Sequence, residues 1–298
     1  MTAAAPPVPA APVPAAPLRS APLRSAPIGQ RLSGLILPVI SALVVVFLFA
    51  PLVVMVIFSF NDPGGRQNIT WQGFTLDNYL TLWRRPDITG PMLTSITIAA
   101  ISTLVATLFG TLIALALTRY DFRGRSATNL LIFLPMTAPE IILGASLLTL
   151  WVSMGVGRGF VTILVAHIMF NVSFVVVTVR ARLIGFNRSL EEAGMDLYAD
   201  AWTTFWKVTF PLIFPGILAA ALLAFSLSID DYVITVFNAG RTVTFPLWVF
   251  GVSRLGIPPE VNVLGTLILL LAVAFIAVQL WQARRQAAAG QTVTIRGR

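Results

Sequence analysis

Three acidic side chains lie within or directly beside long apolar runs of this 298-residue sequence. Glu140 belongs to the segment LPMTAPEIILGASLL, and Asp230 and Asp231 follow the segment AALLAFSLSI. A carboxylate in an apolar environment is costly, so it normally faces a cavity or a partner and marks function. Rings of Asp and Glu are one way in which proteins build a path for cations. The sequence therefore predicts that Glu140, Asp230 and Asp231 line a pathway for a positively charged solute.

Each candidate also has a structural interpretation. The Glu140 carboxylate could instead satisfy backbone groups that the prolines around it leave free. Asp230 and Asp231 could instead mark the interfacial end of a helix. His167, the single histidine, is predicted to be a hydrogen-bonded packing residue rather than a substrate contact.

The residue types argue against most enzymatic functions. With no cysteine and one histidine, the chain has no thiolate or multi-histidine metal site, and we expect neither a metal nor a cofactor. We find no Ser/His/Asp arrangement at any one interface. A phosphate-binding loop requires Gly-Lys-Ser/Thr, but the only lysine, Lys207, follows a tryptophan. The chain is predicted to be no enzyme and to bind no ATP itself.

The elements that hold these residues are predicted to be membrane-spanning helices. Hydrophobic residues make up 57% of the chain and charged residues 11%, whereas soluble domains carry about 25% charged residues. A spanning helix needs about 20 mostly apolar residues, and its backbone groups must be satisfied internally. The predicted fold is all-α, a polytopic membrane protein with six transmembrane helices. The predicted spans are Leu35–Phe60, Pro91–Leu117, Ala127–Trp151, Phe160–Val179, Pro211–Ile229 and Asn262–Trp281.

A helix rises about 1.5 Å per residue. Glu140 lies 13 residues after Ala127 in span three, and Asp230 lies 14 residues after Gly216 in span five. Counted from those two residues, both carboxylates would lie at similar depths, about 20 Å up. Two carboxylates at one depth strengthen the prediction of a cation pathway.

The basic residues predict the orientation of these spans. With both termini inside, 14 of the 20 Lys and Arg residues lie on the cytoplasmic side. The six on the outside are Arg66, Arg84, Arg85, Arg158, Arg241 and Arg254. Since cytoplasmic segments carry the excess of positive charge, the N-in/C-in topology is predicted. The formal net charge of +8 is thus interpreted as a topology signal, and no nucleic-acid partner is expected.

Three regions follow from this pattern. Residues 1–30 are rich in Ala and Pro and are predicted to form a disordered cytoplasmic tail. Residues 31–285 form the six-helix transmembrane domain, and residues 286–298 form a second cytoplasmic tail. The longest inside segment, residues 180–210, is called the cytoplasmic loop below.

The cytoplasmic loop is predicted to contain two short helices. Ser189, followed three residues later by Glu192, matches a capping box and predicts a helix that begins at Leu190. Leu190, Ala193 and Leu197 would share one apolar face. Such a face could contact a partner protein or pack on the chain's own membrane helices.

The same loop resembles the signature of bacterial ABC-importer permeases. That signature is Glu-Ala-Ala, a glycine four residues after the second alanine, and a later Ile-x-Leu-Pro. Here EAG begins at Glu192 and VTFP ends at Pro211. Gly194 replaces the second alanine, and Tyr198 occupies the place of the glycine. In the family that glycine permits a tight turn between the two helices, so the tyrosine puts the turn geometry in question.

The segments LSIDD, LPMTAPEIILGASLL and GIPPEVNVLGTLILL are similar to the spermidine/putrescine permease subfamily of these importers. The resemblance covers about residues 35–282. It implies the type I ABC-importer permease architecture in the bacterial inner membrane, and uptake of a small organic cation, a polyamine, into the cytoplasm. It also implies three protein partners in a lipid membrane: an ATP-binding subunit, a second permease subunit and a periplasmic substrate-binding protein.

In such permeases the loop docks on the ATP-binding subunit. The docking residues that the resemblance implies are Glu191, Glu192, Ala193, Gly194, Asp196, Leu197 and Tyr198. Glu192 could also serve only as the helix cap. Alternative functions are the same class of importer for an opine, an amino-acid derivative or an iron complex, or a secondary transporter, for which the loop would have no purpose.

Overall fold

The computed structural model describes residues 28–65 and 67–294, and this part of the chain is built from helices. An isolated β-bridge joins Asn61 and Phe74. The α-helices are α1 (Ile28–Ser59), α2 (Asp77–Thr81), α3 (Pro86–Arg119), α4 (Arg125–Thr137), α5 (Glu140–Ser153), α6 (Phe160–Ile184), α7 (Ser189–Asp196), α8 (Ala201–Thr204), α9 (Phe210–Ile229), α10 (Val233–Asn238), α11 (Phe245–Ser253) and α12 (Pro259–Thr294). The prediction of an all-α chain is confirmed.

The chain divides into two compact units, which meet within α1 at Val53. In the first unit the side chains from Leu37 onwards are almost all exposed, as expected of a helix whose apolar surface faces lipid. Most of the predicted N-terminal tail, residues 1–27, lies outside the described residues, although α1 begins at Ile28 and so includes its last three. At the other end α12 continues to Thr294, beyond the predicted boundary at 285.

The second unit contains most of the predicted spans. Across both units, four described helices are long and apolar enough to cross a membrane: Leu37–Ser59, Pro86–Arg119, Phe160–Ile184 and Ala201–Ile229. Helices α4 and α5 together pass the same test as a broken span, and α12 contributes a shorter apolar stretch, Pro259–Ala274. Each of the six predicted spans therefore falls on an apolar helix or on a broken pair of helices.

The third predicted span is not one straight helix. Helix α4 ends at Thr137, α5 begins at Glu140, and their axes differ by 108°. The cause lies in Ala138 and Pro139, because a residue before proline avoids the helical region, and Ala138 is extended with ψ 137°. The depth calculated for Glu140 along a continuous helix is therefore wrong, since Glu140 is the first residue of α5.

The fifth span begins earlier than predicted. Its helix runs from Ala201 to Ile229 rather than from Pro211. The five residues Phe205–Thr209 form a π-turn, in which the backbone N–H of Phe210 donates to the carbonyl of Phe205. Pro211 lacks the N–H that would bond one turn back, so a wider turn here accommodates the proline without ending the helix.

Helices α3, α6 and α9 pack together through small residues. Ala106, Ala114, Ala220 and Ala224 are fully buried in their shared core. A Cβ on Gly110 of α3 would lie 2.6 Å from Val175 Cγ1 of α6, so only glycine allows this approach. Small residues at such interfaces let membrane helices come close and pack through van der Waals contact.

Two polar clusters stabilise the segments that are predicted to lie outside the membrane. The Asn61 amide donates to Asn68 Oδ1 at 2.6 Å, and the Asn78 amide donates to the carbonyl of Asn61 at 2.8 Å. Arg85, just before α3, pairs with Glu260 at the start of α12 at 2.5 Å. These contacts link elements that are distant in sequence.

Candidate functional site

Asp230 and Asp231 occupy the break between α9, which ends at Ile229, and α10, which begins at Val233. The Asp230 side chain is exposed, and within the described residues no other side chain bonds its carboxylate. The Asp231 carboxylate instead turns inward and is 9% exposed. Asp231 Oδ2 accepts hydrogen bonds from the backbone N–H and the hydroxyl of Thr235, both at 2.7 Å. The two adjacent carboxylates therefore have different surroundings.

Asp231 belongs to a buried polar network centred on His167. His167 Nε2 lies 2.9 Å from Thr235 Oγ1 and 3.3 Å from Asp231 Oδ2. On the other side of the ring, Nδ1 lies 2.6 Å from Ser228 Oγ, which in turn lies 3.1 Å from Ser102 Oγ. The network joins α3, α6, α9 and α10. His167 is thus buried and hydrogen-bonded, as predicted for a packing residue.

Glu140 is exposed at the start of α5. Its carboxylate makes no hydrogen bond to the backbone in the described part of the chain, so the structure does not support the alternative role of satisfying freed backbone groups. The carbonyl of Pro139 accepts instead from the N–H groups of Ile142 and Leu143, at 2.9 and 3.2 Å. Glu140, like Asp230, therefore presents a carboxylate without a partner from the described residues.

The helix ends that carry the two exposed carboxylates contribute leucines to one apolar cluster. Its buried members are Leu147, Ala166, Phe170 and Ile234. Leu143, three residues after Glu140, and Leu227, three residues before Asp230, both pack against it. Packing between α5 and α10 thus brings the break in span three and the break after α9 to the same region. Two carboxylates at adjacent helix breaks can provide counter-charge to a cation.

The start of α7 differs from the predicted capping box. The helix begins at Ser189, and no side chain caps it in the manner expected of Ser189 and Glu192. Asn187 Oδ1 accepts from the backbone N–H and the hydroxyl of Ser189, at 3.1 and 2.9 Å. An Asn side chain often closes such a turn with the backbone two residues ahead. Consequently Glu192 has no capping role and remains exposed.

Glu191 does not lie on the exposed face of the loop. Its side chain is 8% exposed, and Oε1 accepts hydrogen bonds from Arg119 of α3 and from the Thr209 hydroxyl. The carboxylate therefore anchors α7 to the membrane helices. The expectation that Glu191 would contact an ATP-binding subunit directly is not supported, because the adjacent residues of a helix point about 100° apart and this one faces inward.

The exposed end of the loop is apolar and aromatic. Leu197 is 82% exposed, Tyr198 100% and Trp202 70%. These residues, together with the exposed Glu192, Ala193 and Asp196, are called the docking tip below. Large apolar side chains exposed together mark interaction sites, and aromatic residues often dominate such interfaces.

Trp202 is not among the docking residues predicted from the sequence. Asp200 could have indicated it, because Asp is a common N-cap residue and predicts a helix start here. In the structure its Oδ1 accepts from the Thr203 backbone N–H at 3.0 Å and caps α8. Hydrogen bonds from Thr203 also lower the pKa of the Asp200 carboxyl below its ordinary value. A cap at Asp200 places Trp202 on the first turn of α8, next to the exposed turn.

Tyr198 adopts a left-handed backbone conformation, which glycine adopts without strain. Its φ is 62°, the only positive φ of a non-glycine residue among those described. The turn between α7 and α8 is therefore retained in spite of the tyrosine. At Gly194, a Cβ would lie 3.7 Å from Thr204 Cγ2 and from Val208 Cγ2, which is ordinary van der Waals contact. The alanine of the signature would thus fit here.

Sequence comparisons identify relatives over most of the chain. The family model described as "Binding-protein-dependent transport system inner membrane component" matches residues 106–287. The spermidine/putrescine transport system permease protein PotC of Escherichia coli K12 is 38% identical over 84% of this chain and 92% of its own length. The putrescine transport system permease protein PotI of the same strain is 39% identical over 75% of this chain and 82% of its own length.

Solved structures share the fold at low sequence identity. A bacterial ABC transporter involved in the import of alginate has a chain that superimposes with a TM-score of 0.61 at 17% identity. The match covers 87% of this chain and 98% of that one. The MetNI methionine ABC transporter gives a TM-score of 0.53 at 17% identity, covering 66% of this chain and 95% of that one.

Proposed function

Because the chain belongs to the family of binding-protein-dependent transport system inner membrane components, we propose that it carries a polyamine into the cytoplasm of a bacterium. The chain is a multi-pass membrane permease subunit of the ABC-importer class, with the type I fold. We also propose that it acts in the bacterial inner membrane, together with the partners described below. The relatives named for spermidine and putrescine support this choice of substrate.

The observation that carries the substrate proposal is the pair of exposed carboxylates, Glu140 and Asp230, which have no partner among the described residues. A protonated amine that crosses a region of low dielectric requires counter-charge, because its own hydration is lost there. An opine, an amino-acid derivative or an iron complex would be the alternative cargo. The two carboxylates favour a purely cationic solute over these.

An ATP-binding subunit is expected to supply the energy. The sequence contains no Gly-Lys-Ser/Thr motif, so this chain needs a partner that hydrolyses ATP. The docking tip provides a surface for that partner, with three large apolar side chains and the carboxylates of Glu192 and Asp196. We propose that the apolar side chains enter a cleft of the ATP-binding subunit and that the acidic ones meet basic residues at its rim.

A second permease subunit is expected to complete the passage. The Glu140 and Asp230 carboxylates lie on the surface of this chain. In a membrane such groups must face water or protein rather than lipid. A second chain opposite them would enclose an aqueous path, and a periplasmic binding protein would deliver the solute to its outer end. One structural neighbour is indeed described as a complex with a solute-bound periplasmic protein.

Uptake of a diamine and a triamine in cells that contain the intact importer tests the substrate proposal. Glu140→Gln and Asp230→Asn keep the size of each side chain and remove its charge. Each should lower triamine uptake by about tenfold to a hundredfold, since one charge pair at an effective dielectric of 20 and about 6 Å is worth about 2.8 kcal/mol, a value that solvent screening reduces. Diamine uptake should fall less, because the diamine carries one charge fewer.

Asp62→Asn provides the control, since Asp62 is an exposed acid of the outer segment. This variant should transport both solutes at the wild-type rate. Equal losses for the diamine and the triamine in the Glu140 and Asp230 variants would show that these carboxylates are structural, and would refute a cation-specific passage.

A further inference from the structure

Asp230 and Asp231, the two adjacent acids after α9, differ in what their carboxylates contact. Resting on the proposed function, we infer that His167 is a positioning residue: it holds the Asp231 carboxylate inside the protein, so that Asp230 alone of this pair presents its charge to the cargo. Both acids are candidates from the sequence, and a continuous helix would direct Asp231 about 100° away from Asp230. The hydrogen-bond network around His167 separates their roles.

The hydroxyl of Thr235 determines which nitrogen of His167 carries a proton. A hydroxyl has one proton to donate. Thr235 Oγ1 lies 2.7 Å from Asp231 Oδ2, which as a carboxylate oxygen can only accept, so the hydroxyl proton points to Asp231. Thr235 Oγ1 must then accept from His167 Nε2, at 2.9 Å. Nε2 is therefore protonated, and this N–H also faces Asp231 Oδ2 at 3.3 Å.

The other side of the ring tolerates both charge states of the imidazole. If Nδ1 carries no proton, it accepts from the Ser228 hydroxyl at 2.6 Å, and Ser228 accepts from Ser102. If Nδ1 is protonated, it donates to Ser228, Ser228 donates to Ser102, and Ser102 donates to the carbonyl of Ala99 at 3.2 Å. Both arrangements keep Nε2–H directed at Thr235 and Asp231. The direction of the hydrogen bond from Nε2 toward Asp231 is therefore the same in both charge states of His167.

This arrangement also determines the path of the backbone after α9. Asp231 accepts from the N–H groups of Ile234 and Thr235 in the first turn of α10, at 3.3 and 2.7 Å. With its carboxylate held inward by these groups and by His167, the preceding residue is left on the surface. Asp230 is exposed as a result. The charge of Asp231 is satisfied within the protein, and the charge of Asp230 is available to a solute.

Cysteine accessibility tests the inference without relying on transport, because the natural chain has no cysteine. Asp230→Cys and Asp231→Cys variants in the assembled importer would be treated with a small cationic thiosulfonate, and the mass of this chain would be measured. We expect rapid modification at position 230 and at least tenfold slower modification at position 231. Adding His167→Leu should accelerate modification at position 231. Equal rates at the two positions would overturn the inference.

Uptake kinetics provide the second measurement. Asp230→Asn should lower the ratio of triamine to diamine uptake about fivefold. Asp231→Asn and His167→Leu should lower the maximal rate for both solutes and leave that ratio unchanged. His167→Gln, whose amide can still donate to Thr235, should retain more activity than His167→Leu.

The outcomes separate the inference from the proposed function. An unchanged ratio in Asp230→Asn would refute the cation passage, whatever the cysteine rates are. A ratio that falls as far in Asp231→Asn as in Asp230→Asn would refute the positioning role of His167 while leaving the cation passage intact.

Discussion

Tyr198 shows how one residue can keep a turn that its side chain disfavours. A left-handed backbone conformation costs an L-residue with a Cβ about 1–2 kcal/mol, and Tyr198 adopts it with φ 62°. Glycine does not incur this cost but loses more conformational freedom on folding. We therefore expect Tyr198→Gly to raise the free energy of unfolding by about 0.5–1 kcal/mol, seen as a higher melting temperature of the purified chain in detergent.

Tyr198→Ala separates the backbone effect from the loss of the ring. Alanine keeps the Cβ and hence the backbone strain, so its melting temperature should not rise. Both variants remove the fully exposed phenol from the docking tip, and both should weaken copurification of the ATP-binding subunit to the same extent. An alanine variant as stable as the glycine variant would show that the left-handed conformation is not the source of the gain.

At the scale of the element, α7 carries two adjacent glutamates with opposite orientations. Glu191 anchors the helix to Arg119 and Thr209, whereas Glu192 is exposed on the docking tip. Glu191→Gln should destabilise the chain by about 1–2 kcal/mol, because it removes a charged acceptor whose partner Arg119 is partly exposed. Glu192→Lys should leave the melting temperature unchanged and weaken both transport and copurification of the ATP-binding subunit.

Glu192→Gln is the matched control for the docking role of α7. It removes the charge without reversing it, so association should weaken less than in Glu192→Lys. Wild-type transport and association in Glu192→Lys would show that this carboxylate takes no part in docking. A melting temperature that falls equally in Glu191→Gln and Glu192→Gln would contradict the inward orientation of Glu191.

At the scale of the whole molecule, the orientation in the membrane stays a prediction that reporter fusions can test. Fusions at Gly124 and Asp196 should report a cytoplasmic location, and fusions at Gly64 and Gly256 a periplasmic one. The reason is the distribution of basic residues, 14 inside against six outside. A periplasmic signal at Asp196 would overturn the six-span arrangement and with it the proposed docking of the cytoplasmic loop.

The sequence by itself was sufficient for the class of the protein and the approximate position of its long apolar helices. The cost of moving a segment into lipid is roughly a sum over its residues, so apolar runs such as Phe160–Val179 identify spans without knowledge of the fold. The loop motif that begins at Glu192 likewise depends on local residue types. Pro139 was a local signal for the break at Ala138, because a residue before proline avoids the helical region. The angle of 108° between the two helices could not be predicted from local residue types.

Only the tertiary structure decided which side chain of each neighbouring pair is available to a partner or solute. Glu191 and Glu192 are chemically identical, as are Asp230 and Asp231. Helix periodicity predicts that such neighbours point in different directions, but it does not predict which of them faces inward. The difference arises because Arg119 and His167 come from helices distant in sequence and reach just one member of each pair. Burial and ion pairing depend on the packing of those helices. Because adjacent residues point in different directions, one acid of each pair is buried and paired while its neighbour is exposed.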